Sequence, residues 1–128
     1  MQFIRIDGAI KPSGHYSPAT QVGNLLFISG QLPTDPFTGE KITGDIEAQT
    51  KQVLKNVKTI LKSAGAKKQD VAKVTIYLAD MQYWDKVNEI YAEFFDEHRP
   101  ARCVIPTKEL HGGYLIEIEA IAQIREQQ

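Results

Sequence analysis

Charged residues interrupt an apolar stretch in the last third of the chain. Arg102 stands just before the apolar run 103–105, and Glu117 and Glu119 alternate with isoleucines in the run 116–122. Side chains along a strand alternate between its two faces, so both glutamates share one face. A guanidinium fork can hold a carboxylate through two hydrogen bonds, and a glutamate beside a cleft can orient or deprotonate a water. Together these groups suit hydrolysis of a small, already electrophilic substrate that carries a carboxylate.

A simpler interpretation of the same residues is an ion pair on the surface of the sheet. The stretch 100–122 predicts two strand arms joined by a loop, with Arg102 on one arm and the glutamates on its neighbour. Exposed neighbouring strands commonly carry such pairs, which contribute little to stability. This stretch by itself fits either interpretation.

Other polar residues have both a functional and a structural interpretation. Cys103 adjoins Arg102, but adjacent strand residues face opposite ways, so we expect a buried structural thiol. Ser29 ends a predicted strand, where its hydroxyl could contact a ligand or bond the backbone. Tyr16 could pack its ring and expose its hydroxyl, and Asn88 lies on a predicted helix, where a solvated position is the default.

Length and charge limit the classes of protein to consider. The chain has 128 residues, which predicts one domain over 1–128, and its 15 basic and 16 acidic residues nearly balance. Neither nucleic acid nor a membrane is therefore an expected partner. The three histidines lie far apart, so no metal site is predicted. The chain has no glycine-rich phosphate loop, so no cofactor is predicted. A lone cysteine and the lack of a long apolar stretch at the N-terminus predict a cytoplasmic protein.

The first part of the chain predicts strands. Residues 3–6 alternate apolar and polar, a second extended piece runs over 16–22, and 25–29 form a short apolar run. Pro18 lacks a backbone donor, so the second piece is predicted to be an edge or irregular strand. Prolines and glycines then mark 31–44 as a surface loop.

Helical spacing begins at Asp45. An apolar stripe at spacings of three, four and seven runs to Ala64, and Gly65 supplies the stop. Residues 74–78 alternate as in a strand, and Asp80 is predicted to cap a second helix that ends near 98–100. The apolar stripe of the first helix consists of Ile46, Val53, Leu54, Val57, Ile60, Leu61 and Ala64.

This order of elements predicts an α+β fold with one uncovered sheet face. A strand, helix, strand crossover occurs twice, and the usual right-handed connection puts both helices on the same face. The strands 74–78 and 115–124 look able to bury apolar residues on both sides, so a monomer would expose a large apolar patch. Self-association would cover that patch and would create clefts between subunits.

Four motifs make the chain similar to the RidA/YjgF family of reactive intermediate deaminases. They are Gly-His-Tyr-Ser at 14–17, Asn-Leu-Leu-Phe-Ile-Ser-Gly-Gln-Leu-Pro at 24–33, Pro-Ala-Arg at 100–102 and Ile-Glu-Ile-Glu-Ala-Ile-Ala at 116–122. The motifs span nearly the whole chain, and their combination is specific to the family. The resemblance implies a chorismate-mutase-like α+β fold, a mixed sheet of about six strands with two helices on one face, and a homotrimer with sites between subunits.

The resemblance also implies an activity and a set of site residues. Members hydrolyse 2-enamine and 2-imine acids, such as 2-aminoacrylate, 2-iminopropanoate and 2-iminobutanoate, to 2-oxo acids and ammonia without a cofactor. Arg102 resembles the arginine that binds the substrate carboxylate, and Glu117 the glutamate that positions the attacking water. Tyr16 and Ser29 resemble hydroxyl residues that line the pocket, and Asn88 matches a further polar member.

The chain departs from the family pattern at three places. Cys103 follows Arg102 directly where relatives have Arg-Ser-Cys, His111 replaces a proline in the loop, and Pro18 stands where a glutamine is common. These changes affect the expected pocket size and substrate choice more than the reaction type. The alternatives are a regulatory protein that binds a 2-oxo acid without turnover and a deaminase of aminomuconate-type acids. The family also includes reported ribonucleases, but a ribonuclease is expected to show a basic, aromatic-laced surface.

Overall fold

A computed structural model describes residues 1–125 as a six-stranded mixed sheet with two helices on one face. The sheet order is β1-β2-β3-β6-β4-β5, and the predicted α+β fold is confirmed. No helix within residues 1–125 is long and apolar enough to cross a membrane. The elements are β1 (Gln2–Ile4), β2 (Ala19–Val22), β3 (Leu25–Gln31), α1 (Ile46–Ser63), β4 (Val71–Leu78), α2 (Trp84–Phe95), β5 (Ala101–Pro106) and β6 (Ile116–Gln123).

The last strand lies in the middle of the sheet. β6 pairs antiparallel with both β3 and β4, whereas β5 pairs parallel with β4 and forms the far edge. The predicted hairpin between the arms that carry Arg102 and the glutamates is therefore wrong. The crossover through α2 places β5 parallel to β4, on its outer side. β6 instead pairs on the other side of β4, in the middle of the sheet, where its apolar residues are buried.

The first helix forms as its sequence pattern predicts. The Asp45 carboxylate accepts a hydrogen bond from the Ala48 N–H at 2.9 Å and caps the N-terminus. The apolar stripe is buried in the core from Val53 to Leu61. Beyond the helix, Gly65 has φ 76°, a left-handed conformation that favours glycine, so the predicted stop is confirmed.

The second helix differs from the prediction at both ends. Asp80 caps a short 3₁₀ turn, accepting from the Gln82 N–H at 2.9 Å, and α2 begins only at Trp84. The helix ends at Phe95 because Asp96 adopts φ 54°, well before Pro100. A left-handed residue interrupts the helical path earlier than the proline does.

The first two strands are shorter than predicted, the third is longer, and β2 is not an edge strand. Pro18 lies just outside β2, where its carbonyl accepts from the Ser29 N–H at 3.0 Å. β1 pairs along the other side of β2 and takes the edge position. A proline that precedes a strand removes no ladder donor, so it does not keep that strand from an inner position.

Within residues 1–125, one face of the sheet carries the core and the other carries no helix. On β6 the residues Ile116, Ile118, Ala120 and Ala122 are buried beneath the helices, and the intervening residues point to the open face. The open sides of β4 and β6 are largely polar, contrary to the expectation of apolar residues on both sides. The exposed apolar residues of the open face come mainly from the first strands: Phe3, Val22, Leu25 and Phe27.

Candidate active site

Arg102 is held by α2 on the helix side of the sheet. Its Nη1 donates a hydrogen bond to Asn88 Oδ1 at 2.9 Å. Its guanidinium carbon lies 4.9 Å from the centre of the Tyr91 ring and 5.7 Å from that of Trp84. These contacts fix the side chain by cation–π attraction and one hydrogen bond, while further N–H groups of the fork have no protein acceptor among residues 1–125. Asn88 therefore has a definite partner instead of the solvated position expected by default.

Tyr91 is an unusual neighbour for the arginine. Its hydroxyl is buried without a hydrogen-bond partner among residues 1–125. Burial raises the pKa of Tyr91 to about 12, although the positive charge of Arg102 acts in the opposite direction. The phenol therefore stays neutral at physiological pH, and its ring contacts the guanidinium without supplying a competing negative charge.

Glu117 lies on the open face beside a gap that Gly30 leaves. β3 and β6 shift register between Ile28 and Gln31, and Gly30 lies in this irregularity. A Cβ atom on Gly30 would stand 2.8 Å from Glu117 Oε2 and 3.0 Å from Cδ. Glycine is thus required for the carboxylate to lie against the β3 backbone.

Burial and a neighbouring charge act together on Glu117. Burial raises the pKa of this carboxyl, the Glu119 carboxylate raises it further, and His111 lowers it. A carboxylate whose proton affinity is increased is a stronger general base once ionised. Its environment therefore suits acceptance of a proton from water.

Ser29 lies at the end of β3, and Tyr16 lies in the segment before β2. The Ser29 hydroxyl donates to the Ser17 carbonyl at 2.6 Å, which is the structural role that the sequence left open. This bond ties the segment after Tyr16 to the end of β3, next to Gly30. Tyr16 itself is 56% exposed, and one edge of its ring lies against Gly14.

Arg102 and Glu117 face opposite sides of the sheet in one chain. Arg102 pairs with Val74 on β4, whose side chain is buried under the helices. Glu117 pairs with Tyr77, three residues further along β4 and therefore on the open face. The predicted surface ion pair between Arg102 and the glutamates is accordingly not present within residues 1–125. Within one chain Arg102 and Glu117 therefore lie on opposite faces of the sheet, and strand alternation prevents them from meeting.

The predicted burial of Cys103 is wrong. It faces away from Arg102, as strand alternation predicts, but the thiol is exposed and free on the open face. The prediction treated the run 103–105 as core, yet β5 is an edge strand whose open side no helix covers. No three His, Cys, Asp or Glu side chains of residues 1–125 are grouped as a metal ion would require.

Buried polar residues of α1 position the loops around β6, and sequence reasoning missed them. Asn56 donates to the carbonyls of Leu32 at 3.2 Å and Thr34 at 2.9 Å. Gln49 accepts from the Leu115 N–H at 2.8 Å, just before β6 begins. Both residues lie at helical spacing within the apolar stripe, so a polar residue at a core position was the available signal.

Comparison with known proteins places the chain in a family. Its fold superposes on the YjgF gene product of Escherichia coli with a TM-score of 0.90 and 38% sequence identity, covering 98% of this chain and all of that one. The family model described as Endoribonuclease L-PSP matches residues 6–124. The chain belongs to the RidA/YjgF family. The resemblance drawn from the four motifs is thereby confirmed.

Other members of the RidA/YjgF family are similar over most of the chain. A RutC family protein of Pyrococcus horikoshii is 53% identical over 121 residues, which cover 94% of this chain and 96% of the relative. The human protein named 2-iminobutanoate/2-iminopropanoate deaminase is 43% identical over 115 residues, covering 90% and 82%. The archaeal relative is thus named only for a family, whereas the human relative is named for an imine deaminase activity.

Proposed function

We propose that the protein is a cofactor-independent deaminase that hydrolyses 2-enamine and 2-imine acids to 2-oxo acids and ammonia. The observation that carries this proposal is the pair of half-sites: a guanidinium with unused donors on one side, and a partly buried carboxylate with increased proton affinity on the other. The first suits a substrate carboxylate and the second suits a water. The name of the human relative supports the same substrate class.

Each proposed step uses one of the two half-sites. The Arg102 fork binds the carboxylate of the imine, which places the C=N carbon for attack. Glu117 takes a proton from water as the water oxygen bonds to this carbon, and passes that proton to the nitrogen to give an amino alcohol. Glu117 then takes the hydroxyl proton as the C=O bond forms and delivers it to the nitrogen, which leaves as ammonia. The net reaction consumes one water and releases one ammonia.

The working unit is a homotrimer in which the half-sites of different copies combine. Two observations support this assembly: Arg102 and Glu117 face opposite sides of one sheet, and the open face exposes Phe3 and Phe27. Light scattering coupled to sizing at micromolar concentration should give about three times the chain mass. A stable, fully active monomer would overturn the shared site.

Variants at the two half-sites separate substrate binding from chemistry. Arg102→Ala removes charge-assisted contacts worth about 1.5–3 kcal/mol, so binding of pyruvate or 2-oxobutanoate should weaken by about ten- to two-hundredfold. Arg102→Lys should recover little, because a point charge does not reproduce the fork. Glu117→Gln should retain binding and lower turnover by about 10²–10⁴-fold.

Calorimetric binding and an assay for ammonia and 2-oxo acid release on the same three variants check these roles. The substrates are 2-aminoacrylate and its four-carbon analogue, generated enzymatically, with turnover on an aminomuconate-type acid measured alongside. If Glu117→Gln loses binding as badly as Arg102→Ala while Arg102 variants keep turnover, the roles are wrong. If the unmodified protein binds 2-oxo acids and never turns over an imine, it is a metabolite-binding protein. If it cleaves RNA and does not turn over an imine, the endoribonuclease activity in the family model's description is favoured instead.

A further inference from the structure

A tyrosine on β4 reaches across the open face to the second glutamate of β6. Tyr77 stands opposite Glu117 in the β4–β6 register, and Thr75 stands opposite Glu119. The Tyr77 hydroxyl nevertheless donates to Glu119 Oε1, at 2.8 Å. The contact is diagonal: Glu119 lies two residues along β6 from Glu117, the direct partner of Tyr77. An aromatic side chain is long enough to reach such a diagonal neighbour. It anchors the Glu119 carboxylate to the neighbouring strand.

The anchored carboxylate lies on the same face as Glu117 and close to it along the strand. Two residues of extended chain separate their backbones by roughly 7 Å, so both carboxylates project from the same short stretch of the open face. Charges that lie close together in a partly buried site are less screened than in water. The Glu119 charge is one of the causes that raise the pKa of Glu117. The hydrogen bond from Tyr77 matters because a free glutamate side chain would extend into solvent, where its charge is screened.

Tyr77 can serve as an anchor over the whole physiological pH range. The hydrogen bond to Glu119 raises the pKa of the Tyr77 hydroxyl, and burial and the nearby carboxylates act in the same direction. The phenol therefore keeps its proton and remains a donor. A phenylalanine would retain the ring and lose this function.

We propose that Tyr77 and Glu119 form a positioning pair that holds a second negative charge beside Glu117 and so strengthens Glu117 as a proton acceptor. This inference rests on the proposed function, in which Glu117 is the base. Neither member of the pair needs to touch the substrate.

Other titratable groups lie on or near the same face, on several elements. Lys73 lies on the open side of β4, Cys103 on the open side of β5, and His111 in the turn before β6. His111 opposes Glu119 in its effect on Glu117. On β3 the Glu117 carboxylate lies against the backbone at Gly30, which carries no charge.

The direct test is a ¹³C NMR titration of the Glu117 carboxyl, with its signal assigned from the spectrum of Glu117→Gln. The pKa of Glu117 should fall in Glu119→Gln, which removes the charge and keeps the shape. It should also fall in Tyr77→Phe, which keeps the charge and removes the anchor. Glu93→Gln, which removes an exposed carboxylate on α2, is the matched control and should leave the Glu117 titration unchanged.

Turnover measured against pH distinguishes failure of this pair from failure of the proposed function. The acid limb of kcat/KM should move to lower pH in Glu119→Gln and Tyr77→Phe, following the titration. A Glu117 titration that stays at the wild-type position in folded Glu119→Gln overturns the inference, whatever the activity. A titration that moves while the acid limb stays in place upholds the pair and shows that Glu117 is not the base. A Glu117 titration that stays at the wild-type position in folded Tyr77→Phe overturns the role of Tyr77 as the anchor. If Tyr77→Phe fails to fold, Glu119→Asp takes its place, because it keeps the charge and withdraws the carboxylate from the Tyr77 hydroxyl.

Discussion

Replacing Gly30 with alanine should displace the Glu117 carboxylate and leave the rest of the fold in place. The added Cβ would stand 2.8 Å from Oε2, so the carboxylate must retreat by about 0.6 Å to reach ordinary contact at 3.4 Å. The obstructing atoms are the far end of a flexible side chain, which can move without disturbing the backbone. Gly30 has no left-handed φ, so alanine introduces no backbone strain.

The displacement is small in distance and large in its effect on a proton transfer. Misplacement of a reacting group by about 1 Å can cost about 10²-fold in rate, so Gly30→Ala should lower kcat by about ten- to a hundredfold. The melting temperature should change little, and binding of pyruvate should persist because Arg102 is untouched. Imine deaminase kinetics, calorimetric binding and thermal unfolding on one preparation measure all three quantities.

Gly44→Ala is the matched control for this prediction. A Cβ on Gly44 would meet only the Ala48 methyl at 3.8 Å, which is an ordinary contact, and its φ is not left-handed. The deaminase activity of Gly44→Ala should equal that of the unmodified protein. If Gly30→Ala keeps turnover within a few-fold of Gly44→Ala, the position of Glu117 against β3 does not govern the reaction.

Three further substitutions test other features of the structure. Glu117→Gln should raise the free energy of unfolding at neutral pH, because burial raises the pKa of Glu117 and the ionised carboxylate therefore disfavours folding. The gain should disappear as the pH falls toward 4.5, the usual pKa of a glutamate, and urea unfolding at fixed protein concentration measures it. Asn56→Ala should destabilise by about 1–3 kcal/mol in the same assay, because two loop carbonyls lose their donor. Cys103→Ser should leave kcat within a few-fold and stability nearly unchanged, and substrate-protected inactivation by a stoichiometric thiol reagent would contradict the view that the thiol is not catalytic.

Local pattern was enough to predict the elements and the facing of most side chains. The alternation in 116–122 correctly put Glu117 and Glu119 on one face, and the spacing from 46 to 64 correctly predicted α1 and its buried stripe. These features depend on neighbours within a few residues, which is where periodicity carries information. Chemistry and alternation singled out Arg102 and the glutamates, whereas the roles assigned to the site residues came from family motifs and remain predictions.

Long-range arrangement could not be read from the same patterns. The insertion of β6 between β3 and β4 depends on pairing between strands far apart in sequence, and this order separated Arg102 from the glutamates. The exposed position of Cys103 follows from β5 being an edge strand, which no local run of residues reveals. The contact between Asn88 and Arg102 likewise joins a helix to a strand through the packing of the whole crossover.

The way Arg102 is held has a consequence for how tightly a very small molecule can be retained. A 2-oxo acid such as pyruvate has about six heavy atoms, and small ligands gain at most about 1.5 kcal/mol from each of them. Ordering a long side chain on binding costs about 0.5–1.5 kcal/mol, which is roughly a two- to tenfold loss of affinity. Asn88 and the Tyr91 ring hold the guanidinium in the absence of a ligand. A small 2-oxo acid bound at the proposed site should therefore lose little affinity to the ordering of Arg102.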